Sequence, residues 1–221
     1  MNAVAVIVAY LASSVSFPWL IARGYGIDLA TAGSRKLGGS NLAKSVGVGP
    51  GVAGGALDGA KSFAAVLIAG ALGLPLEVQL ACGLAANLGQ MWPVFHRFDG
   101  GRANATGWGF ALAADPIAAL IMAIPLAVAL ALTFVARPRP TRLFPVACLL
   151  SFCVFPAVIW EQEGVTPTVV AGLALLMLIV VRRVTAGLRQ DLATGAPAPL
   201  VIANRLLYDR SELQRRGAVP I

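Results

Sequence analysis

Two short stretches of the chain combine glycine pairs with basic side chains. They are residues 33–47 (GSRKLGGSNLAKSVG) and residues 89–107 (GQMWPVFHRFDGGRANATG). Glycine lets backbone N–H groups approach an anion closely, and a neighbouring Lys or Arg neutralises the anion's charge. Both stretches therefore have the composition of phosphate-binding loops. The pattern also fits ordinary polar loops between apolar helices, and by itself it does not separate the two interpretations.

The composition is that of an integral membrane protein. Of 221 residues, 58% are hydrophobic and 12% are charged, whereas soluble globular proteins contain about 25% charged residues. The net charge of +7 does not indicate nucleic-acid binding, because insertion topology and anionic head groups place Lys and Arg in membrane proteins. We therefore expect a multi-pass protein of the cell membrane, with lipids as partners and no nucleic acid. The three cysteines have no metal-site spacing, and neither a metal nor a cofactor is expected.

The apolar runs predict an all-α, polytopic membrane bundle of about seven transmembrane segments over residues 1–185, followed by a basic cytoplasmic tail, residues 186–221. A spanning helix needs about 20 apolar residues. The stretch between the second loop and the basic loop at residues 137–142 is too short for two full spans, so we predict two short helices that meet near Asp115 and Pro116. The segments are residues 3–22, 51–73, 76–95, two within 107–136, 143–160 and 165–181.

Charge placement predicts that the N-terminus lies outside and the C-terminus inside. All 17 Lys and Arg then fall on cytoplasmic loops, on the tail or on the inner part of the second segment. The outer turns carry only acidic side chains: Glu77, Glu161 and Glu163. Within the tail, residues 188–213 fit either a helix on anionic lipid or a disordered basic segment.

The two loops resemble motifs of the bacterial acyl-phosphate:glycerol-3-phosphate acyltransferases, the PlsY family. The family's first motif, similar to GSGNPGATNVLRTLG, aligns with residues 33–47 without gaps. Its second motif, similar to GHxFPVFxxFxGGKGVAT, aligns with residues 89–106. Asp58 and Lys61 match a family DxxK spacing and share one helix face. The resemblance covers most of residues 1–135.

Several motif positions differ from the family pattern. Arg35 and Lys36 replace a glycine and an asparagine, and Gln90 replaces a histidine. Ala103 replaces a glycine, Asn104 replaces a valine, and Arg102 occupies a lysine position. The family's third motif ends in GTE, whereas residues 189–196 (RQDLATGA) lack the glutamate.

The resemblance implies transfer of a fatty acyl group from acyl phosphate to glycerol 3-phosphate or a similar polyol phosphate. Two phosphates must then be held close together, which requires backbone N–H donors and several cations. We therefore expect the two loops to meet in one pocket at the inner membrane face, lined by Lys44 and Arg102. Acyl phosphate is already activated, so positioning can carry most of the catalysis, and a substrate phosphate can accept the hydroxyl proton. The implied catalytic residues are Ser34, Lys44 and Arg102. The implied phosphate-binding residues are Arg35, Lys36, Gly38, Gly39, Ser40, Asn41, Lys61, Gln90, Gly100, Gly101 and Thr106.

Other interpretations stay open at this point. The changed motif positions also fit a non-catalytic relative that binds an anionic lipid or a membrane partner. A small transporter would account for Asp58, Lys61 and Asp115 within apolar segments, although no internal repeat is present. Ser34 and Ser40 fit either hydrogen bonds to substrate or helix caps. His96 is six positions from Gln90, too far round a helix to replace the family histidine, and is interpreted as an interfacial polar group.

Overall fold

The described part of the chain is helical. The computed structural model describes residues 1–135 and 140–209, and this part contains twelve α-helices and no strand. A 3₁₀ turn, Val94–His96, lies between α5 and α6. The helices are α1 (Asn2–Ser13), α2 (Phe17–Gly24), α3 (Gly39–Ser45), α4 (Val48–Ala71), α5 (Leu76–Met91), α6 (Asn104–Ala114), α7 (Pro116–Ile121), α8 (Ile124–Val135), α9 (Pro140–Glu163), α10 (Pro167–Thr185), α11 (Leu188–Leu192) and α12 (Ala198–Tyr208). The predicted all-α class is confirmed for the described residues.

Within residues 1–135 and 140–209, five helical stretches are long and apolar enough to cross a membrane. They are Asn2–Gly24, Val48–Ala71, Pro116–Val135, Leu143–Glu163 and Pro167–Leu192. α5 has 16 residues and α6 has 11, fewer than the roughly 20 that a perpendicular span requires. Most of the basic loop at residues 137–142, and the end of the predicted tail helix, lie outside the described residues.

The apolar stretch after the second loop is divided at Asp115, as predicted. α6 ends at Ala114, and α7 begins at Pro116. The Asp115 carboxylate accepts a hydrogen bond from the N–H of Ala118 at 2.8 Å, which caps α7. Proline has no N–H to donate to a preceding turn, so it suits the first position of a helix. The Asp-Pro pair thus ends one helix and begins the next.

The first apolar run, predicted as one helix, consists of α1 and α2 with a break between them. Ser16 caps α2 by accepting a hydrogen bond from the N–H of Trp19 at 3.2 Å. The carbonyls of Ser13 and Val15, at the break, accept hydrogen bonds from Lys61 Nζ at 3.0 and 2.8 Å. The ammonium group of a lysine within α4 thus obtains oxygen partners that an unbroken helix would have used itself.

Close helix packing holds the two loops in fixed positions. An added Cβ at Gly109 of α6 would collide with the carbonyl of Gly59 in α4, so these two helix backbones touch. A Cβ at Gly39 would lie 2.7 Å from the carbonyl of Gly51, so α3 also rests directly on α4. Helices α5, α6, α9 and α10 enclose the main apolar core, which includes Met91, Phe110, Phe152, Phe155, Ile159, Leu175 and Ile179.

Candidate active site

The two glycine-rich loops lie against each other. Lys36 Nζ of the first loop is 3.2 Å from the Asp99 carboxylate of the second. Gln90 Nε2, at the start of the second loop, donates a hydrogen bond to the carbonyl of Leu37 at 3.3 Å. The prediction that these loops, distant in sequence, meet in one place is confirmed.

A cavity of about 320 Å³ opens between the loops, with α4, the start of α6 and the end of α12 as its other walls. Its volume is at the lower end of the range found for small-molecule sites. Among the predicted site residues, those that line it are Ser34, Lys36, Gly38, Gly39, Ser40, Asn41, Gln90, Gly101, Arg102 and Thr106. The other lining residues are Gly51, Gly55, Asp58, Ala103, Asn104, Ala105 and Asp209.

Asn41 gives the first loop its shape. Its Oδ1 accepts a hydrogen bond from the N–H of Ser34 at 2.8 Å. Its Nδ2 donates to the carbonyls of Leu29, Ala32 and Lys36, at 3.3, 3.0 and 3.0 Å. A buried amide thus replaces regular secondary structure as the partner of these backbone groups. α3 begins after Gly38 and has no side-chain cap, so neither candidate serine acts as its cap.

The N-terminus of α6 faces the cavity. Its first turn, together with Ala103, contributes cavity-lining residues up to Thr106. The first N–H groups of a helix have no carbonyl partner within it and carry a partial positive charge, which favours a bound anion. Thr106 is completely buried, and its hydroxyl has no hydrogen-bond partner among the residues that the structure describes. This wall therefore offers donors to a ligand.

In the described part of the chain, two cations line the cavity, Lys36 and Arg102. Burial lowers the pKa of Lys36; Arg182 and Arg102 lower it further, whereas Asp99 acts to raise it. Arg102 Nη1 pairs with the Asp209 carboxylate at 2.7 Å, and its Nη2 donates to the Asp209 carbonyl at 2.6 Å. The end of α12 thus supplies a wall of the cavity.

Arg182, near the end of α10, is a site-supporting residue that the sequence did not reveal. It is 5% exposed and donates hydrogen bonds to the carbonyls of Gly100 and Gly101, at 2.9 and 3.1 Å, and to the Asp99 carboxylate at 3.0 Å. Its guanidinium also lies 5.5 Å from the ring centre of Trp92. The only sequence signal was a pair of arginines at the end of an apolar run, which topology explains equally well.

A model of the family described as glycerol-3-phosphate acyltransferase matches residues 3–190 of the chain. The chain belongs to the glycerol-3-phosphate acyltransferase family. It is 37% identical over 204 residues to glycerol-3-phosphate acyltransferase 4 of Dehalococcoides mccartyi strain CBDB1, covering 91% of this chain and 85% of the relative. It is 38% identical over 174 residues to the glycerol-3-phosphate acyltransferase of Rubrobacter xylanophilus, covering 77% and 84%.

The fold is similar to that of a solved integral membrane member of the family. The crystal structure of PlsY (YgiH) in its glycerol 3-phosphate form has a TM-score of 0.71 and 29% identity, covering 88% of this chain and 92% of that one. Its lysophosphatidic acid form is equally similar. The predicted family and multi-pass membrane location are thereby confirmed, and the chain is a membrane acyltransferase by family.

Four residues that the family resemblance implied for the site lie outside the cavity lining. Arg35 and Lys44 are solvent-exposed. Lys61 points from α4 toward the α1–α2 break and pairs with Asp58 at 2.9 Å. Gly100 lies behind the lining, where an added Cβ would collide with the carbonyl of Gln90. His96 also lies outside the cavity and packs edge-on against Trp19, with ring centres 4.9 Å apart.

The family motifs have glycine at two positions where this chain has a residue with a side chain. The backbone at both positions is in the left-handed region. Arg35 has φ 56° and Ala103 has φ 53°. A Cβ in this region costs about 1–2 kcal/mol. The backbone at both positions is therefore one that glycine would adopt without strain, although this member of the acyltransferase family has other residues there.

Ala103→Gly is expected to raise the free energy of unfolding by about 1 kcal/mol, because glycine relieves the left-handed strain. Thermal unfolding of the purified protein in detergent measures the change. The matched control is Ala113→Gly within α6, where glycine weakens a regular helix and should lower the unfolding temperature. A decrease in both variants would show that position 103 stores no strain.

Proposed function

We propose that the protein transfers a fatty acyl group from acyl phosphate to the 1-hydroxyl of glycerol 3-phosphate, producing lysophosphatidic acid and inorganic phosphate. One observation carries the proposal: the cavity between the two glycine loops is faced by Lys36, by Arg102 and by the N-terminus of α6. These three sources of positive potential face the same cavity, whose described lining also includes the acidic residues Asp58 and Asp209. Family membership supports the same acceptor, because the curated relatives are named glycerol-3-phosphate acyltransferases.

The cavity residues do the chemistry by holding two phosphates together. Lys36, Arg102 and the α6 N–H groups offset the repulsion between substrates, and Ser34 and Ser40 belong to the same lining. The acceptor's hydroxyl oxygen bonds to the acyl carbonyl carbon as the bond from that carbon to the phosphate oxygen breaks. The phosphate leaves with the bonding electrons. Orientation of the two substrates lowers the barrier, since the donor is already activated.

A substrate phosphate takes up the hydroxyl proton in this scheme. Gln90 has no titratable group, and His96 lies outside the cavity. Asp58 lines the cavity, but its carboxylate is engaged by Lys61 and Gln90. A phosphate dianion accepts protons near pH 6, which suits a reaction at neutral pH.

The experiment is product analysis with the purified protein in vesicles. Glycerol 3-phosphate and a long-chain acyl phosphate should yield lysophosphatidic acid, whereas the same fatty acyl group supplied as acyl-coenzyme A should yield none. Product from the thioester alone would replace acyl phosphate as the donor. Product from neither would leave the alternative of a non-catalytic relative that binds anionic lipid or a membrane partner.

Substrate binding should weaken at alkaline pH, because Lys36 attracts phosphate only when protonated and its pKa lies below the ordinary 10.5. The KM for glycerol 3-phosphate should be constant at neutral pH and rise as the pH passes through the pKa of Lys36. Lys36→Arg keeps its charge throughout this range and should remove the rise. The measurement is KM against pH for both proteins, and the same rise in both would assign it to another group.

The proposed topology places both glycine loops and residues 186–221 in the cytoplasm, with seven segments in residues 1–185 and the N-terminus outside. This topology follows from the positions of Lys and Arg, because membrane proteins carry these residues mainly on cytoplasmic loops. In a cysteine-free background, a cysteine at Glu163 should react with an impermeant maleimide in intact cells. A cysteine at exposed Arg97 should react only after permeabilisation. The reverse pattern would overturn the topology.

A further inference from the structure

Gln90 lies where the first loop, the second loop and α4 meet. It is the penultimate residue of α5 and is 4% exposed. In the family motif its position belongs to a histidine, so the residue is a feature of this chain. Its surroundings show what a glutamine does there.

The side-chain amide of Gln90 connects an ion pair to the first loop. Its Nε2 donates to Asp58 Oδ2 at 2.7 Å and to the carbonyl of Leu37 at 3.3 Å. Its Oε1 accepts a hydrogen bond from Lys61 Nζ. The orientation of the amide follows from its partners, because an ammonium group needs an acceptor and a carboxylate needs a donor. Both hydrogens of the amide nitrogen are therefore used within the protein.

The backbone of Gln90 also contacts the glycine pair of the second loop. Its carbonyl accepts a hydrogen bond from the N–H of Gly101 at 3.0 Å. A Cβ added at Gly101 would lie 3.2 Å from both Gln90 Nε2 and the carbonyl of Leu37. One residue thus joins the first loop to the glycine pair of the second.

We propose that Gln90 is a positioning residue that fixes the spacing of the two glycine loops, and with it the affinity for substrate phosphate. The inference rests on the proposed function in one respect, because the kcat/KM used to test it is that of the proposed acyl transfer. It differs from the expectation that Gln90 binds phosphate directly, because a bond to phosphate would require the amide to give up Asp58 or Leu37. A neutral amide is needed here, since a carboxylate cannot donate and a neutral imidazole has one donor only.

A charge-swap pair of variants separates loop positioning from simple balancing of the ion pair. Gln90→Glu places a second carboxylate beside Asp58 and should lower both the unfolding temperature and the activity. Adding Asp58→Asn restores one carboxylate and one amide opposite Lys61, so the unfolding temperature should recover. The carbonyl of Leu37 still lacks its donor in the double variant. Its kcat/KM for glycerol 3-phosphate should therefore stay about 3- to 10-fold below that of the wild type.

Recovery of both stability and kcat/KM in the double variant would overturn the proposal, because charge balance alone would then explain Gln90. The stabilisation of each protein by glycerol 3-phosphate in detergent gives a readout that does not need turnover. If the wild type is stabilised but forms no product, the proposed function fails, and a smaller ligand-induced shift in the double variant still supports positioning. An equal shift in wild type and double variant, or none in the wild type, contradicts it.

Discussion

Replacing Arg102 with alanine is expected to reduce kcat/KM for acyl transfer by about 100-fold or more, the usual cost of removing one charge-stabilising donor from an active site. Arg102 lines the cavity next to the wall formed by the start of α6, directly before Ala103. Its side chain is 29% exposed, and because Asp209 already accepts hydrogen bonds from both terminal nitrogens, a phosphate in the cavity would share this fork of donors with Asp209. Arg102→Lys should retain part of the activity, because lysine keeps the charge but not the two parallel hydrogen bonds.

Two controls separate the phosphate contact from other roles of Arg102. Asp209→Asn weakens the ion pair between the second loop and α12 but keeps the arginine, so it should cost far less than Arg102→Ala. Arg189→Ala removes an exposed charge on α11, outside the cavity lining, and should leave kcat/KM unchanged. Equal losses in Arg102→Ala and Asp209→Asn would mean that Arg102 acts through the C-terminal segment. Equal losses in Arg102→Ala and Arg189→Ala would mean that the cations serve membrane insertion alone.

Replacing Arg182 with glutamine is expected to reduce kcat/KM by about 10- to 100-fold, since it removes charge-assisted bonds worth about 1.5–3 kcal/mol each. Arg182 is not part of the cavity lining and holds the carbonyls of Gly100 and Gly101 from outside it. Without it, the loop backbone is free to turn, and the N–H groups that follow lose their orientation toward the cavity. Arg182→Lys should recover little, because an ammonium group does not reproduce the planar fork.

The adjacent arginine provides a matched control. Arg183 is also buried, but it donates to the carbonyls of Pro145 and Leu206, at 2.7 and 3.0 Å, and so ties α10 to α9 and α12. Arg183→Gln should lower the unfolding temperature more than it lowers kcat/KM. If both variants lost kcat/KM in proportion to stability, the role assigned to Arg182 in shaping the loop would be wrong.

The sequence predicted the features that depend on local patterns. Apolar runs predicted the helices, and the Asp115-Pro116 pair predicted the break between α6 and α7. The spacing of Asp58 and Lys61 put both on one face of α4, where they pair. The family motifs also predicted that the two loops meet, because matched motifs carry the tertiary contacts of the family.

The features that the sequence did not reveal depend on contacts between distant segments. The break between α1 and α2 is invisible to hydropathy, and the carbonyls that it exposes are bound by Lys61, 48 and 46 positions away. Arg182 reaches Gly101 across 81 positions of the chain, and Arg102 reaches Asp209 across 107. The sequence also did not show which of the basic side chains near the glycines point into the cavity. Arg35 and Lys44 are exposed, whereas Lys36, one position after Arg35, lines the cavity.

The central claim is that one cavity holds both substrate phosphates, and phosphate release from acyl phosphate by the purified protein tests it most directly. We predict release that depends on glycerol 3-phosphate, with one lysophosphatidic acid formed for each phosphate released, and loss of both in Arg102→Ala. Release without glycerol 3-phosphate, with free fatty acid as the product, would indicate a hydrolase instead. No release under either condition, while glycerol 3-phosphate still binds, would contradict the claim and establish a non-catalytic member of the family.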